Sequence, residues 1–464
     1  MGIKLESAAA EEAGLNRAVL DDLFRALERS PAELRGLVLL RHGKVLVRRF
    51  WEPYREDDPV WVYSLSKSFC STAVGFAVQE GLLSLNEKLL SFFPEYETIA
   101  SDENCRAMTV QDLLTMRTGH ETDTTPAIIA SPNWAEAFFR LPVKYKPGTH
   151  FVYNSGATYM LSALTQKRCG LPIVEYLKPR LFDPLGFRAV FWDSSPQGIN
   201  TGGWGFMVTL EDIAKFGLLY LNRGTWQGRR IIGDAWVDEA ALPHADNSIT
   251  GGSADWSRGY GYQFWRSRYG FRGDGAFGQY CLVLPEFDAV LALSSETADM
   301  QGLLDIIWTY LPPAFAVSGG ETEGRLENRE FRLSANGGGF NSASLNFHPD
   351  RLILSLGRGG EKLTLAAGRY GWLETETRFP LEGYSFIPVF SSPGGEKKIS
   401  AAFFWRDAET LEIRIVYRTS PHRELLTLKF RQNAGGYSIS ISCSPNTAAQ
   451  AMGRPALEFE GLLI

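Results

Sequence analysis

Histidine and cysteine are scarce in this 464-residue chain, six and five respectively, and their placement excludes several kinds of chemistry. The histidines, His42, His120, His150, His244, His348 and His422, stand singly, with no H-x-x-x-H pair. The cysteines, Cys70, Cys105, Cys169, Cys281 and Cys443, form no C-x-x-C. No metal site is expected from such a set, and no cofactor is predicted. An odd, scattered set of thiols does not suggest a disulfide framework, so a reduced, cytoplasmic protein is the expectation. No apolar run reaches the ~18 residues of a membrane span. The N-terminus, Met1-Gly2-Ile3-Lys4-Leu5-Glu6, leads into an acidic, alanine-rich stretch without a signal-peptide core. Basic clusters are missing too, and a net charge of -6 gives no footprint for nucleic acid or an anionic membrane. Nothing in the pattern specifies an oligomeric state.

What is present is an ordinary globular composition, 44% hydrophobic and 22% charged, in a chain long enough for two or three domains. Residues 16–29 read as an amphipathic helix, and 37–51 as two apolar runs around the turn Arg41-His42-Gly43-Lys44. The region 109–188 is helical and loop-rich, and 209–221 reads as a further helix opened by Thr209. Strands are predicted at 261–265, 279–284 and 289–294, and a last helix at 303–310. This half is therefore α+β: an antiparallel sheet with strands from both ends of the segment, flanked by helices, with an all-helical subdomain. Residues 316–325, rich in Gly, Ser, Thr and Glu, suit a linker between a domain at 1–315 and another at 326–464. The latter is a succession of eight or nine short alternating strands, which predicts an all-β barrel or sandwich of accessory role.

Ser64-Leu65-Ser66-Lys67 is the stretch that carries chemistry. Such a tetrapeptide occurs about once by chance in a chain this long, and here it occurs once. Its context is what distinguishes it. If Ser64 opens a helix, the hydroxyl and the amine share one face. The continuation, Phe69 to Val78, has no charged residue on any face, as in a buried helix. Lys67 then sits where solvation is lost, its ammonium form is disfavoured, and its pKa falls from ~10.4 toward a range useful for a base. Acyl transfer from such a serine also needs a proton relay and an oxyanion site. Tyr153, on the loop Pro147-Gly148-Thr149-His150-Phe151-Val152-Tyr153, is a candidate for the first. The glycines of Gly273-Asp274-Gly275-Ala276-Phe277-Gly278, at the start of a strand, suit the second. Trp204, Tyr262 and Trp265 are candidates for an apolar pocket.

In order along the chain, these elements resemble the serine β-lactamase and penicillin-binding-protein superfamily, particularly class C β-lactamases, D-stereospecific peptidases and related esterases. The resemblance spans about residues 15–312. Besides Tyr63-Ser64-Leu65-Ser66-Lys67, it includes Leu113-Leu114-Thr115-Met116-Arg117-Thr118-Gly119, Pro147-Gly148-Thr149 with Tyr153, Gly203-Trp204-Gly205 and Gly278-Gln279-Tyr280. It implies Ser64 as acylated nucleophile, Lys67 as its base partner, Tyr153 as a proton-transfer residue, and an oxyanion hole at the backbone N–H groups of Ser64 and Ala276. Either Lys67 or Tyr153 could deprotonate the serine.

Two departures bear on the substrate. Where the lactamase branch has Tyr-x-Asn, this chain has Tyr153-Asn154-Ser155, with the asparagine displaced to Asn154 and Ser155 in its place. Where the family has a cation followed by Thr-Gly, the nearest match is Gly273-Asp274-Gly275, and Asp274 would repel a carboxylate unless Arg272 compensates. The expectation is a serine hydrolase forming an acyl-enzyme at Ser64 with a small ester or amide. The alternatives are a β-lactamase or D-aminopeptidase, and a non-catalytic ligand-binding sensor on the same scaffold.

Overall fold

The computed structural model describes residues 4–9, 15, 17–100, 102–248, 252–315, 320–336, 339–369, 372–377, 397–405, 408–418, 423–433, 436–444 and 457–464. The chain divides into two compact units: Met1–Ala13 with Leu23–Trp308, and Gly14–Asp22 with Thr309–Ile464. Among the described residues no helix is long and apolar enough to cross a membrane.

The first unit is built on a hairpin, Glu33–Arg41 and Lys44–Phe50. Its turn residues His42 and Gly43 both take positive φ, 51° and 73°, the pair of conformations that matches the twist of a two-residue hairpin. Glu33–Arg41 pairs on its other side with Ala289–Glu296, Leu37 opposite Leu293 and Leu39 opposite Leu291. Gln279–Leu284, Phe271–Gly275 and Trp265–Arg266 complete a six-stranded antiparallel sheet. Both alternating sets of side chains are buried, Leu37 and Leu39 on one face and Val38 and Leu40 on the other. Such a sheet needs cover on both faces. On the Val38 face lies the helix Leu210–Leu221, opened by Thr209, whose hydroxyl accepts the Asp212 N–H.

The helix Ser66–Gln79 has no charge after Lys67 and is buried from Ser66 to Ala77. Hydrophobic and small all round, it has no face for water and becomes an interior helix. Beside it runs Ser155–Cys169, buried from Gly156 to Thr165, with Cys70 Sγ 3.7 Å from the Thr158 carbonyl.

Three stretches depart from the sequence-based expectation. Of 261–265, only Trp265 is in a strand. Gln263 takes a φ of 64°, Gly261 N–H closes onto the Phe264 carbonyl at 2.8 Å, and the Gln263 amide donates to the carbonyls of Leu113 and Leu114. A side chain that satisfies distant backbone oxygens holds the chain in a turn. The helix expected at 303–310 runs from Met300 to Phe315, past Pro312 and Pro313. In the expected linker, 316–319 lie outside the described residues, and Gly320–Leu326 is helical. Glu323 there pairs bidentately with Arg369 at 2.8 and 2.9 Å and accepts Trp405 Nε1–H at 2.7 Å, while Leu326 is fully buried in the core of the second unit. Glycine content suggested freedom, and these tertiary bonds override it.

The second unit is a closed barrel. Nine strands, from Glu361–Gly368 round to Lys397–Trp405, are antiparallel to their neighbours, and the ring is shut by a parallel pairing of Gly368 with Ala402. Eight reversals return the chain to its starting direction, so a nine-membered ring of this kind closes in parallel. A tenth strand, Leu373–Thr377, adds to Lys397–Trp405. The interior is Leu345, Leu354, Leu365, Phe403, Trp405, Ile413 and their neighbours.

Gly217 marks a close helix-to-sheet approach: a Cβ there would lie 2.5 Å from Val290 Cγ1 and 2.9 Å from Cys281 Sγ. Alanine would gain ~1 kcal/mol in helix propensity, against an overpacking cost of ~1–3 kcal/mol. Gly217→Ala is therefore expected to lower the urea midpoint of this unit with an unchanged m-value, a net loss of roughly 1 kcal/mol.

Candidate active site

Ser64 is placed by a strained turn. Val62 N–H bonds the Phe206 carbonyl at 3.0 Å, Tyr63 takes a φ of 47°, and the 3-10 turn Tyr63–Leu65 runs into the helix that begins at Ser66. A tyrosine in the left-handed region persists only where its surroundings hold it there. The clamp is visible on two sides. Ser66 Oγ donates to the Tyr63 carbonyl at 2.5 Å and accepts the Phe206 N–H at 3.3 Å. On the other side lies the strand Phe271–Gly275, where a Cβ at Gly275 would overlap the Val62 carbonyl oxygen and one at Gly273 would lie 2.7 Å from Ser68 Oγ. The two glycines thus let the strand reach the turn.

Lys67 Nζ is 3.0 Å from Ser64 Oγ and donates to the Gly203 carbonyl at 2.8 Å. It also stands 4.8 Å from the centre of the Tyr153 ring, and the Ser64 hydroxyl is near enough to act on the Tyr153 phenol. The tyrosine ring is fixed by stacking on Trp265, 5.1 Å away at 25°, and by the edge of Tyr260 at 6.0 Å. Ser64, Lys67 and Tyr153 are thereby brought together. Lys67 is 1% exposed, and burial pushes its pKa down to about 7 against the opposing pull of Asp123 and Asp274. Burial acts on Tyr153 in the other sense, lifting its phenol well above the ordinary range, so it stays protonated at neutral pH. A neutral lysine with one hydrogen held by Gly203 can turn its lone pair to the serine O–H.

Asp274 and Arg272, two apart on a strand, share a face. Arg272 Nε donates to Asp274 Oδ2 at 2.7 Å, and Nη1 to Ser267 Oγ at 2.8 Å and to the carbonyls of Arg266 and Asp255 at 3.0 and 3.1 Å. Burial raises the Asp274 carboxyl and Arg272 opposes it. The cation and the carboxylate are thus committed to each other. Ala276, half-buried, follows Gly275 at the strand's end.

Asn154 is fully buried, and its Oδ1 accepts from Thr124 N at 3.1 Å, Thr124 Oγ1 at 2.8 Å and Ala157 N at 3.3 Å. Its amide oxygen is a helix cap. Ser155 is the first residue of that helix, its N–H bonded to Asp123 Oδ1 at 3.0 Å, and its carbonyl lies under Gly203. Trp204, half-buried, stacks on Trp134 at 5.8 Å. Of the other aromatic candidates, Trp265 supports Tyr153, whereas Tyr262 is a buried partner of His244, stacked at 4.2 Å.

Sequence reasoning did not single out Gly203 as the acceptor for Lys67, because a backbone carbonyl has no residue-type signature. Tyr260 and Asp123 were likewise missed, since their proximity comes from the tertiary fold. Among the described residues, no three His, Cys, Asp or Glu side chains are grouped to hold a metal ion.

Residues 24–308 match the Beta-lactamase family. The chain is 25% identical over 304 residues to the 6-aminohexanoate-dimer hydrolase of Paenarthrobacter ureafaciens, covering 60% of this chain and 76% of that protein. It is 26% identical over 272 residues to the lovastatin esterase of Penicillium rubens, covering 53% of this chain and 57% of the esterase. In fold it resembles the octameric penicillin-binding protein homologue of Pyrococcus abyssi, with a TM-score of 0.51 at 15% identity over 96% of this chain and 99% of that one. With its family match covering more than half of the chain, and with an amide hydrolase and an esterase among its relatives, the protein belongs to the β-lactamase family and is a hydrolytic enzyme.

Proposed function

We propose that the protein hydrolyses a small ester or amide through an acyl-enzyme at Ser64. The observation that carries this reading is the buried Lys67 amine, 3.0 Å from Ser64 Oγ. In the proposed sequence, neutral Lys67 accepts the Ser64 proton as Oγ attacks the substrate carbonyl. The tetrahedral oxygen is held by the N–H groups of Ser64 and Ala276. The proton returns to the leaving alcohol or amine through the Tyr153 hydroxyl, which lends one hydrogen and regains another from Lys67. Water then attacks the acyl carbon by the same path, giving the acid and free Ser64. Lys67 is the base in this scheme because Tyr153 is held protonated.

The pairing of Arg272 with Asp274 favours substrates without a carboxylate at that wall. The names of the amide hydrolase and the esterase are in keeping with either acyl chemistry. We place the activity in the cytoplasm, on the ground that an odd, scattered set of five cysteines does not suggest a disulfide framework.

Incubation with a fluorophosphonate should add one adduct, mapped to Ser64 by peptide mass, and Ser64→Ala should take up none. A wild-type protein that stays unlabelled would overturn the assignment. For a neutral ester such as p-nitrophenyl butyrate, kcat/KM should rise with pH through a midpoint near 7, since Lys67 is charged below its pKa of about 7 and neutral above it. Lys67→Met should remove that rise and lower kcat by about 10²–10⁴; a flat profile in the wild type would count against Lys67 as base.

A further inference from the structure

Beside Ser64 lies a pocket of about 230 Å³ lined by Trp61, Tyr63, Trp204, Gly205 and Asp193. It is tied to the reacting groups through the backbone at two points. Tyr63 immediately precedes Ser64, and Trp204 immediately follows Gly203, whose carbonyl holds Lys67 Nζ at 2.8 Å. The pocket therefore adjoins the turn that carries Ser64 and the loop that holds Lys67.

Its walls are largely aromatic side chains, each with a ring partner. Trp61 is 41% exposed and Tyr63 42%, yet each is steadied by an edge contact, Trp61 by Phe191 at 6.0 Å and Tyr63 by Phe277 at 5.2 Å. Trp204 is backed by Trp134. Tyr63 adopts its positive φ in the same turn that sets Ser64. Exposed aromatic rings grouped around a hollow attract cations through the negative faces of the rings.

The fourth element is a carboxylate. Asp193 is half-buried, and among the described residues its side chain has neither a hydrogen bond nor an ion pair. Burial lifts its pKa with no cation to offset the effect. At Gly205, which takes a φ of 76°, a Cβ would come 2.6 Å from Asp193 Cβ and 2.8 Å from Asp193 Oδ2, so glycine lets the backbone lie close against this side chain. A neutral apolar group would satisfy the rings and leave Asp193 desolvated, and an anionic group would be repelled. A cation satisfies both.

We infer that the Trp61, Tyr63, Trp204 and Asp193 pocket binds an alkylated ammonium group of the substrate, so that the enzyme selects esters or amides bearing such a cation. This rests on the reading of Ser64 as nucleophile for its catalytic consequence, but binding can be tested apart from it. Ser64→Ala, at full length, is titrated with choline while tryptophan fluorescence is followed, with 3,3-dimethylbutanol as the uncharged isostere and sodium chloride as the ionic control. Saturable change with choline, at least about tenfold tighter than with the isostere and weakened about tenfold in Ser64→Ala/Asp193→Asn, is expected. In parallel, wild-type kcat/KM is compared for butyrylcholine and 3,3-dimethylbutyl butyrate, which differ only in nitrogen for carbon and in charge. A preference of about tenfold or more for the choline ester is expected. Equal turnover of the two esters without saturable choline binding would overturn the subsite and leave the hydrolase reading intact. Choline binding with no turnover of either ester would uphold the subsite and count against the hydrolase reading.

Discussion

The burial of one amine governs the first unit. A lysine in an unfolded chain titrates near 10.4, and Lys67 near 7. Between those values the unfolded chain binds more protons, so stability falls as the pH drops from about 10 to about 7. The accumulated cost is on the order of 5 kcal/mol, a large share of the ~5–15 kcal/mol by which domains are stable. The surroundings are arranged around that cost. The helix after Lys67 is uncharged and interior, the Gly203 carbonyl takes one hydrogen, and the Asp123 and Asp274 charges limit the shift. Without those carboxylates the amine would titrate lower still.

The second element is close approach. A nucleophile on a turn is useful only if that turn is rigid, and the rigidity of Tyr63–Leu65 comes from a strand that could not come near with any side chain at 273 or 275. Here the glycines serve by their lack of Cβ rather than by unusual φ. Between them stands Asp274, whose partner Arg272 has the same orientation two residues earlier. One strand thus supplies a backbone support for Ser64 and an internally neutralised wall.

Much of this could be read in the residues. An apolar helix after Ser64-Leu65-Ser66-Lys67 encodes burial directly, and alternation encodes the barrel strands, because both are periodic signals along the chain. The sheet with strands from both ends was legible for the same reason. What could not be read depends on contacts distant in sequence. Asn154 beside Tyr153 reads as a displaced substrate-binding asparagine, but its amide oxygen is taken by the N–H and hydroxyl of Thr124, 30 residues away. Gln263 breaks an expected strand because Leu113 and Leu114 offer it carbonyls some 150 residues away. The helix Gly320–Leu326 forms within a glycine-containing stretch because Glu323 finds Arg369 and Trp405.

In the barrel, the strand Lys397–Trp405 has a divided edge. Residues 397–401 pair with Leu373–Thr377, and Ala402 pairs with Gly368. Both partners draw on one row of N–H and C=O groups, and each such group can serve only one ladder. The seam is therefore a zero-sum junction: lengthening the tenth strand by a residue unzips the ring, and tightening the ring shortens the strand. Among the described residues the ring is shut at a single register position, so its closure and the tenth strand compete for the same edge.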